Sequence, residues 1–264
     1  MHDTLSSLVE RAFTGNQRPL EFYLREQSRL PGSRANLELV TSLSNLLAAI
    51  VLEQPDPVWM LLKQLVADEK MIASNTPGEF VVLCGVVGFG ACTAVRPEWR
   101  GEVFELLGHF AYSSKWRVRE GAALAFQRLM PVAPQETIEY LMELATKGNC
   151  LQQRLSVAAI AEPPLLNTPE MIDAALTIQR LVLERLHALP AGERKREDVR
   201  ALRQSLGYTV SVVAAATPER GFALMGECAT WADADITWVL RENLKKKRLA
   251  KFAEHTEKVS KLLA

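Results

Sequence analysis

An all-α fold follows from three features of the sequence. Apolar residues recur at helical spacing along most of the chain, capping hydroxyls stand directly before prolines, and no stretch alternates cleanly between apolar and polar. Leu5, Leu8, Val9 and Ala12 form the first one-sided stripe, and Val58, Leu61, Leu62 and Leu65 form another. Thr76-Pro77 then places a hydroxyl before a proline suited to the first helical position, and Glu79, three residues after Thr76, completes a capping box. The β-branched and aromatic content of Phe80 to Val87 would suit a strand, but alternation is poor and the segment sits inside a longer helical pattern, so it is read as buried helix. Val103, Leu106, Leu107 and Phe110 continue the series, followed by Ile138, Leu141, Met142 and Ala145. Thr168-Pro169 and Thr217-Pro218 repeat the cap-and-proline start, and Tyr208 to Val213 is read as buried helix on the same grounds as Phe80 to Val87. Last comes a stripe of Leu249, Phe252, Val259 and Leu262 with Lys251, Glu254, Lys258 and Lys261 lying off it, the pattern of a terminal cap helix. The thirteen prolines fall mostly at intervals of about 20 to 25 residues, which predicts about thirteen or fourteen helices.

The composition narrows the class. With 264 residues the chain can bury roughly three quarters of its unfolded surface, so it needs neither disulfides nor a metal to hold a core, and one domain over residues 1–264 is expected. The longest nearly uncharged run, Phe80 to Val95, is shorter than the roughly 20 residues of a membrane span and contains Gly85, Gly88 and Gly90, so no membrane helix is expected. The opening residues Met1-His2-Asp3-Thr4-Leu5 lack the basic region of a signal peptide, and a cytoplasmic location is expected. Basic and acidic residues balance at 31 each, yet residues 180–264 carry 16 basic against 11 acidic side chains. Arg194-Lys195-Arg196 and Lys245-Lys246-Lys247-Arg248 are the densest clusters, and they read as solvated helix faces that could attract phosphates or acidic proteins.

Motifs of chemistry are thin. Cys84, Cys92, Cys150 and Cys228 form no Cys-x-x-Cys pair and have no histidine at ligand spacing, so no metal site and no small-molecule cofactor are expected. The four histidines, His2, His109, His187 and His255, lie far apart, and no catalytic residues are assigned. Gly85-Val86-Val87-Gly88-Phe89-Gly90 lacks the spacing of a dinucleotide loop, and its glycines read as sites where a neighbouring helix approaches closely. Arg29-Leu30-Pro31-Gly32-Ser33-Arg34-Ala35-Asn36 reads as a turn at Pro31-Gly32 with Ser33 as a cap. Alternatively, its two arginines and Asn36 form a recognition loop.

A repeat underlies the stripes. The clearest unit is Lys115-Trp116-Arg117-Val118-Arg119-Glu120-Gly121-Ala122-Ala123-Leu124-Ala125-Phe126, and Thr237-Trp238-Val239-Leu240-Arg241-Glu242 matches it at the Trp, Arg and Glu. Weaker copies are anchored on Arg34, Arg154 and Arg203. From Arg119 the successive steps to Arg154, Arg203 and Arg241 are 35, 49 and 38 residues, close to the roughly 40 to 47 of two-helix repeats.

The run at 116–125 resembles the second helix of a HEAT repeat. That resemblance implies a right-handed α-solenoid of about six to seven stacked helix pairs, in which neighbours bury what one pair cannot. In that family an aspartate six residues before the arginine takes part in a ladder between repeats. Asp235 and Arg241 have the spacing, whereas Ser113, Gly148 and Glu197 stand in the aspartate position before Arg119, Arg154 and Arg203. The resemblance implies a non-enzymatic binding scaffold, with a protein partner held on a concave face built from Trp116, Arg119, Arg154, Arg203, Trp238 and Arg241. The final segment, Trp238 to Glu242 with Lys246 and Phe252, is also similar to the last helices of the DNA-alkylation-repair branch of HEAT-like proteins. Duplex DNA is therefore the alternative partner, with those arginines on phosphates and the tryptophans stacking on sugar or base. Glycosylases of that branch rely on a mid-chain aspartate, and this chain has none between Asp68 and Asp173.

Overall fold

The stripes close into helices in a computed structural model that describes residues 2–263. Fourteen α-helices follow one another among the described residues: α1 (His2–Phe13), α2 (Arg18–Glu26), α3 (Leu37–Ile50), α4 (Pro55–Val66), α5 (Pro77–Val95), α6 (Arg100–Phe110), α7 (Trp116–Leu129), α8 (Pro134–Lys147), α9 (Cys150–Ile160), α10 (Pro169–His187), α11 (Glu197–Ala216), α12 (Pro218–Ala229), α13 (Ala234–Leu244) and α14 (Ala253–Leu262). Short 3₁₀ turns occupy Pro97–Trp99, Pro163–Leu165 and Lys247–Leu249, and there is no strand among the described residues. Both segments with strand-like composition are helical, within α5 and α11. The chain divides into two compact units, Met1–Pro134 and Gln135–Ala264.

In the first unit α3, α5 and α7 pack in a row, with α4 and α2 against α5 and α6 against both α5 and α7. The centre of the row is α5, in which sixteen consecutive residues, Gly78 to Thr93, are buried. This 19-residue helix is long and apolar enough to cross a membrane by composition, and here its apolar surface is covered by its helical neighbours. The close approach expected at the glycines is present: a Cβ at Gly88 would stand 2.6 Å from a Leu62 methyl, and one at Gly90 2.6 Å from the Ala125 backbone. One cap differs from expectation. The Thr76 hydroxyl donates to the Ala73 carbonyl (2.7 Å) and caps nothing, while Glu79 turns inward and accepts from the Asn75 N–H (2.7 Å). Glu79 is drawn away from its capping box by a stronger partner, the Arg117 guanidinium.

The second unit repeats the plan with a row of α9, α11 and α13, α10 against α9 and α11, and α12 against α11, α13 and α14. Helix starts are capped locally. Asn149 and Gln152 form a reciprocal box at α9, Thr168 accepts from the Met171 N–H at α10, and the Asp233 carboxylate accepts from Asp235 and Ile236 at α13. Thr217 makes no side-chain cap. Val259 of α14 and Leu263 just past its end turn inward, and Leu262 is left 53% exposed, which corrects the last position of the expected stripe by one residue. Val259 and Leu263 stand four residues apart and share the inward side, whereas Leu262 is one position, about 100°, round from Leu263.

Candidate binding surfaces

A notch of about 430 Å³ opens in the first unit between the loop that joins α2 to α3 and the first turns of α7. Leu83 and Leu124 line it, and Leu37 and Trp116 add two large apolar side chains that remain 51% and 49% exposed. Its volume lies within the range of about 300 to 1,000 Å³ that ligand sites occupy.

The notch is held in shape by hydrogen bonds along the loop. The Asn36 amide donates to the Gln27 carbonyl (2.9 Å), the Asn36 N–H donates to the Ser28 carbonyl (3.1 Å), and the Leu30 N–H donates to the Ser28 hydroxyl (3.1 Å). Asn36, not Ser33, caps the next helix, accepting from the Leu39 N–H. Leu30–Pro31 is a cis peptide, and Arg29 adopts the left-handed conformation. Gly32 fastens the loop to the core: its N–H donates to Asn75 Oδ1 (3.1 Å) and its carbonyl accepts from the Arg117 guanidinium (2.6 Å). Arg117 also pairs with buried Glu79 at 3.1 Å, so one side chain joins the loop, α5 and α7. Its guanidinium lies 4.6 Å from the Trp116 ring centroid and backs that ring at the mouth of the notch.

The second unit carries a different surface. Tyr208 on α11 is 48% exposed and Trp238 on α13 is 37% exposed. The Arg248 guanidinium lies over the Tyr208 ring (4.3 Å to the centroid) and donates to its hydroxyl (2.6 Å), with the Lys246 ammonium 6.0 Å from the same ring. Arg203 stacks on Trp238 at 4.9 Å and pairs with Asp235 at 2.5 Å. Arg194 bridges Asp233 (2.7 Å) and Asp235 (3.2 Å), and His187 Nδ1 lies 3.2 Å from Asp233. Burial pushes the Asp233 carboxyl up, but hydrogen bonds from the Ile236 backbone, Arg194 and His187 outweigh it and hold it below the usual aspartate range.

The six residues expected on a binding face are distributed as follows. Trp116 and Arg119 belong to the first unit; Arg154, Arg203, Trp238 and Arg241 belong to the second. Arg203 and Trp238 come together. Trp116 meets Arg117, whose guanidinium lies 4.6 Å from its ring centroid. Arg119 donates to the Ser113 carbonyl (2.6 Å), satisfying backbone at the entrance to α7, and Arg241 donates to the Leu263 carbonyl (2.6 Å). Arg154, half-buried on α9, is also engaged. The Asp235 carboxylate joins Arg203 of the preceding helix in the row, not Arg241. Sequence reasoning passed over Arg117 and Tyr208.

The remaining recesses are chemically quiet. Beside His109 and Tyr112, Lys115 is consumed by Glu69, donating to its carbonyl at 2.5 Å and pairing with its carboxylate at 3.4 Å. Burial, then the charge of Asp198, pushes the Cys150 thiol up, which opposes formation of a nucleophilic thiolate. Among the described residues, no group of three or more His, Cys, Asp or Glu is placed to hold a metal ion. No protein-family model, no curated protein and no solved structure matches the chain.

Proposed function

We propose that this chain is a non-enzymatic HEAT-like repeat protein, a right-handed α-solenoid of about six to seven stacked helix pairs, that acts as a binding scaffold for a protein partner. The observation that carries the reading is the preformed notch of the first unit, where Leu37 and Trp116 stay half in solvent although hydrogen bonds from Gly32 to Asn75 and from Arg117 to Gly32 fasten the loop beside them. Exposed apolar side chains held at the starts of two packed helices favour association, because little conformational entropy is left to lose on binding. The stacking of alternate helices, α3 with α5 and α7, and α9 with α11 and α13, supports the repeat reading. The Arg203–Asp235 pair supports it too, since it joins neighbours in one row as a repeat ladder would. The test is a photo-crosslinker, p-benzoylphenylalanine, placed at position 116 in the full chain. One protein captured saturably from cell extract is expected, with capture lost when Leu37→Ser is added. No crosslink at 116 would overturn the reading.

The second reading, duplex DNA on a relative of the alkylation-repair group, is favoured by the Tyr208, Lys246 and Arg248 cluster and by the part-exposed Trp238 of the same unit. Aromatic faces interleaved with cations suit stacking and phosphate contact. Its weakness is that Arg203 is neutralised by Asp235 and Arg241 is spent on a backbone carbonyl. Anisotropy of a labelled duplex that falls with salt and is lost in Tyr208→Ala/Arg248→Ala would establish it; no binding at low salt would remove it.

A further inference from the structure

The charge inventory of the notch narrows what enters it. Arg29 is matched by Glu38 at 3.3 Å, Arg117 by Glu79 at 3.1 Å, and Glu120 is itself engaged. Arg34 remains: it is exposed, lines the notch, and has no carboxylate partner among the described residues. An unmatched guanidinium therefore stands beside an apolar recess that has room for one large side chain.

We propose that this notch docks a short acidic segment of the partner protein, one large apolar side chain of that segment entering between Leu37 and Trp116 and a flanking carboxylate pairing with Arg34. The inference rests on the scaffold reading and gives its partner a chemistry. A planar guanidinium presents its donors in a fork that matches a carboxylate, so the pairing has direction as well as charge. The apolar contact supplies affinity, in the manner of a central anchor excluded from water. The Arg34 contact lies at the rim, so its effect falls as salt rises. Arg117 acts as a positioning residue, holding the loop at Gly32 and the Trp116 ring in place.

The experiment pans a displayed library of random dodecapeptides on the immobilised full-length chain and measures the enriched peptides in solution by fluorescence polarisation. Enriched peptides are expected to carry one Trp, Phe or Leu flanked by Asp or Glu. Their affinity should fall at least about tenfold on Arg34→Glu, recover when the flanking acids are exchanged for Lys, and disappear on Trp116→Ser. Met71→Ser, at an exposed position outside the notch, should change nothing. Arg34 and Met71 are exposed and Trp116 is half-exposed, and an unchanged circular dichroism melt confirms that each variant folds. Peptides that need Trp116 but are indifferent to Arg34→Glu would overturn the acidic assignment. If no enriched peptide depends on Trp116 while the crosslinker at 116 still captures its protein, the inference falls and the scaffold reading stands. If position 116 captures nothing either, both fall.

Discussion

The two units solve one packing problem with different polar chemistry. Each is organised on a long central helix, 19 residues in α5 and 20 in α11, flanked by helices of the same row. In the first unit the buried tie is ionic: Glu79 and Arg117, both out of solvent, join α5 to α7 and reach on to the loop at Gly32. In the second the most deeply buried ties are neutral. The Asn243 side chain accepts from the Ser211 N–H (2.7 Å) and donates to the Leu206 and Val239 carbonyls (2.8 and 2.7 Å), and Thr209 donates to Gln179 (3.0 Å). A neutral tie loses hydrogen bonds when it is cut, whereas an ionic tie strands a charge in a low-dielectric interior. The ionic tie is also the one attached to the loop that rims the notch, so in the first unit stability and the shape of the notch depend on the same side chain.

The sharpest way to break this contrast is Arg117→Met. It leaves the Glu79 carboxylate buried beside a thioether and is expected to destabilise the first unit by about 3–5 kcal/mol. The double variant Glu79→Leu/Arg117→Met should recover most of that loss, because the stranded charge goes with its partner. Native cysteines provide the readout for each unit separately. Burial pushes the Cys92 thiol up to about 12 and the Cys84 thiol higher still, and in the second unit it pushes Cys228 up to about 12. All three react only when their unit opens. Mass-spectrometric thiol labelling under native conditions should therefore accelerate at Cys84 and Cys92 in Arg117→Met, with Cys228 unchanged; equal acceleration at all three would show that the units open together.

Asn243→Leu should have a smaller effect on the other unit. It orphans the Ser211 N–H and two carbonyls, at a cost of about 1–3 kcal/mol. Labelling should now accelerate at Cys228 while Cys84 and Cys92 stay protected. A loss as large as that of Arg117→Met would erase the distinction between neutral and ionic ties.

Helix existence was written in local spacing, and so was the crowding around α5, because Gly88 and Gly90 stand where side chains of Leu62 and Ala125 press in. The face of α7 that turns inward was also legible. Gly121 and Ala125 follow Arg117 at four and eight residues, the same helical stripe, so small residues marked the side on which Arg117 lies. The repeat motif points instead to Arg119, two positions away and on the opposite side of the helix. What no local pattern held was the identity of partners: Glu79 lies 38 residues before Arg117, and Gly32 lies 85. The same limit explains Asp235. Arg241 shares the motif spacing with Asp235, but it is six residues along the same helix and about 120° around it. Arg203, on the neighbouring helix, is close enough to pair at 2.5 Å.

The smallest expected effect concerns pH and refines the comparison further. Asp233 is the one buried carboxylate tie of the second unit whose proton affinity is held down, by the Ile236 backbone, Arg194 and His187 against the opposing effect of burial. A carboxyl whose folded pKa lies below its unfolded value binds fewer protons when folded. It contributes stability above the unfolded pKa of about 4, and that contribution disappears as pH falls through the folded value. Asp233→Asn keeps an acceptor for the cap but loses the charge that Arg194 meets at 2.7 Å, so it should cost about 1 kcal/mol near neutral pH and nothing in strong acid. Urea midpoints of the second unit, followed by Cys228 labelling between pH 7 and pH 5 and by circular dichroism below, should converge for the variant and the parent as pH drops below 4. The Asn243 tie, having no charge to lose, should show a difference from its own variant that stays constant over the same range, and a convergence there as well would mean that acid weakens the second unit through groups other than Asp233.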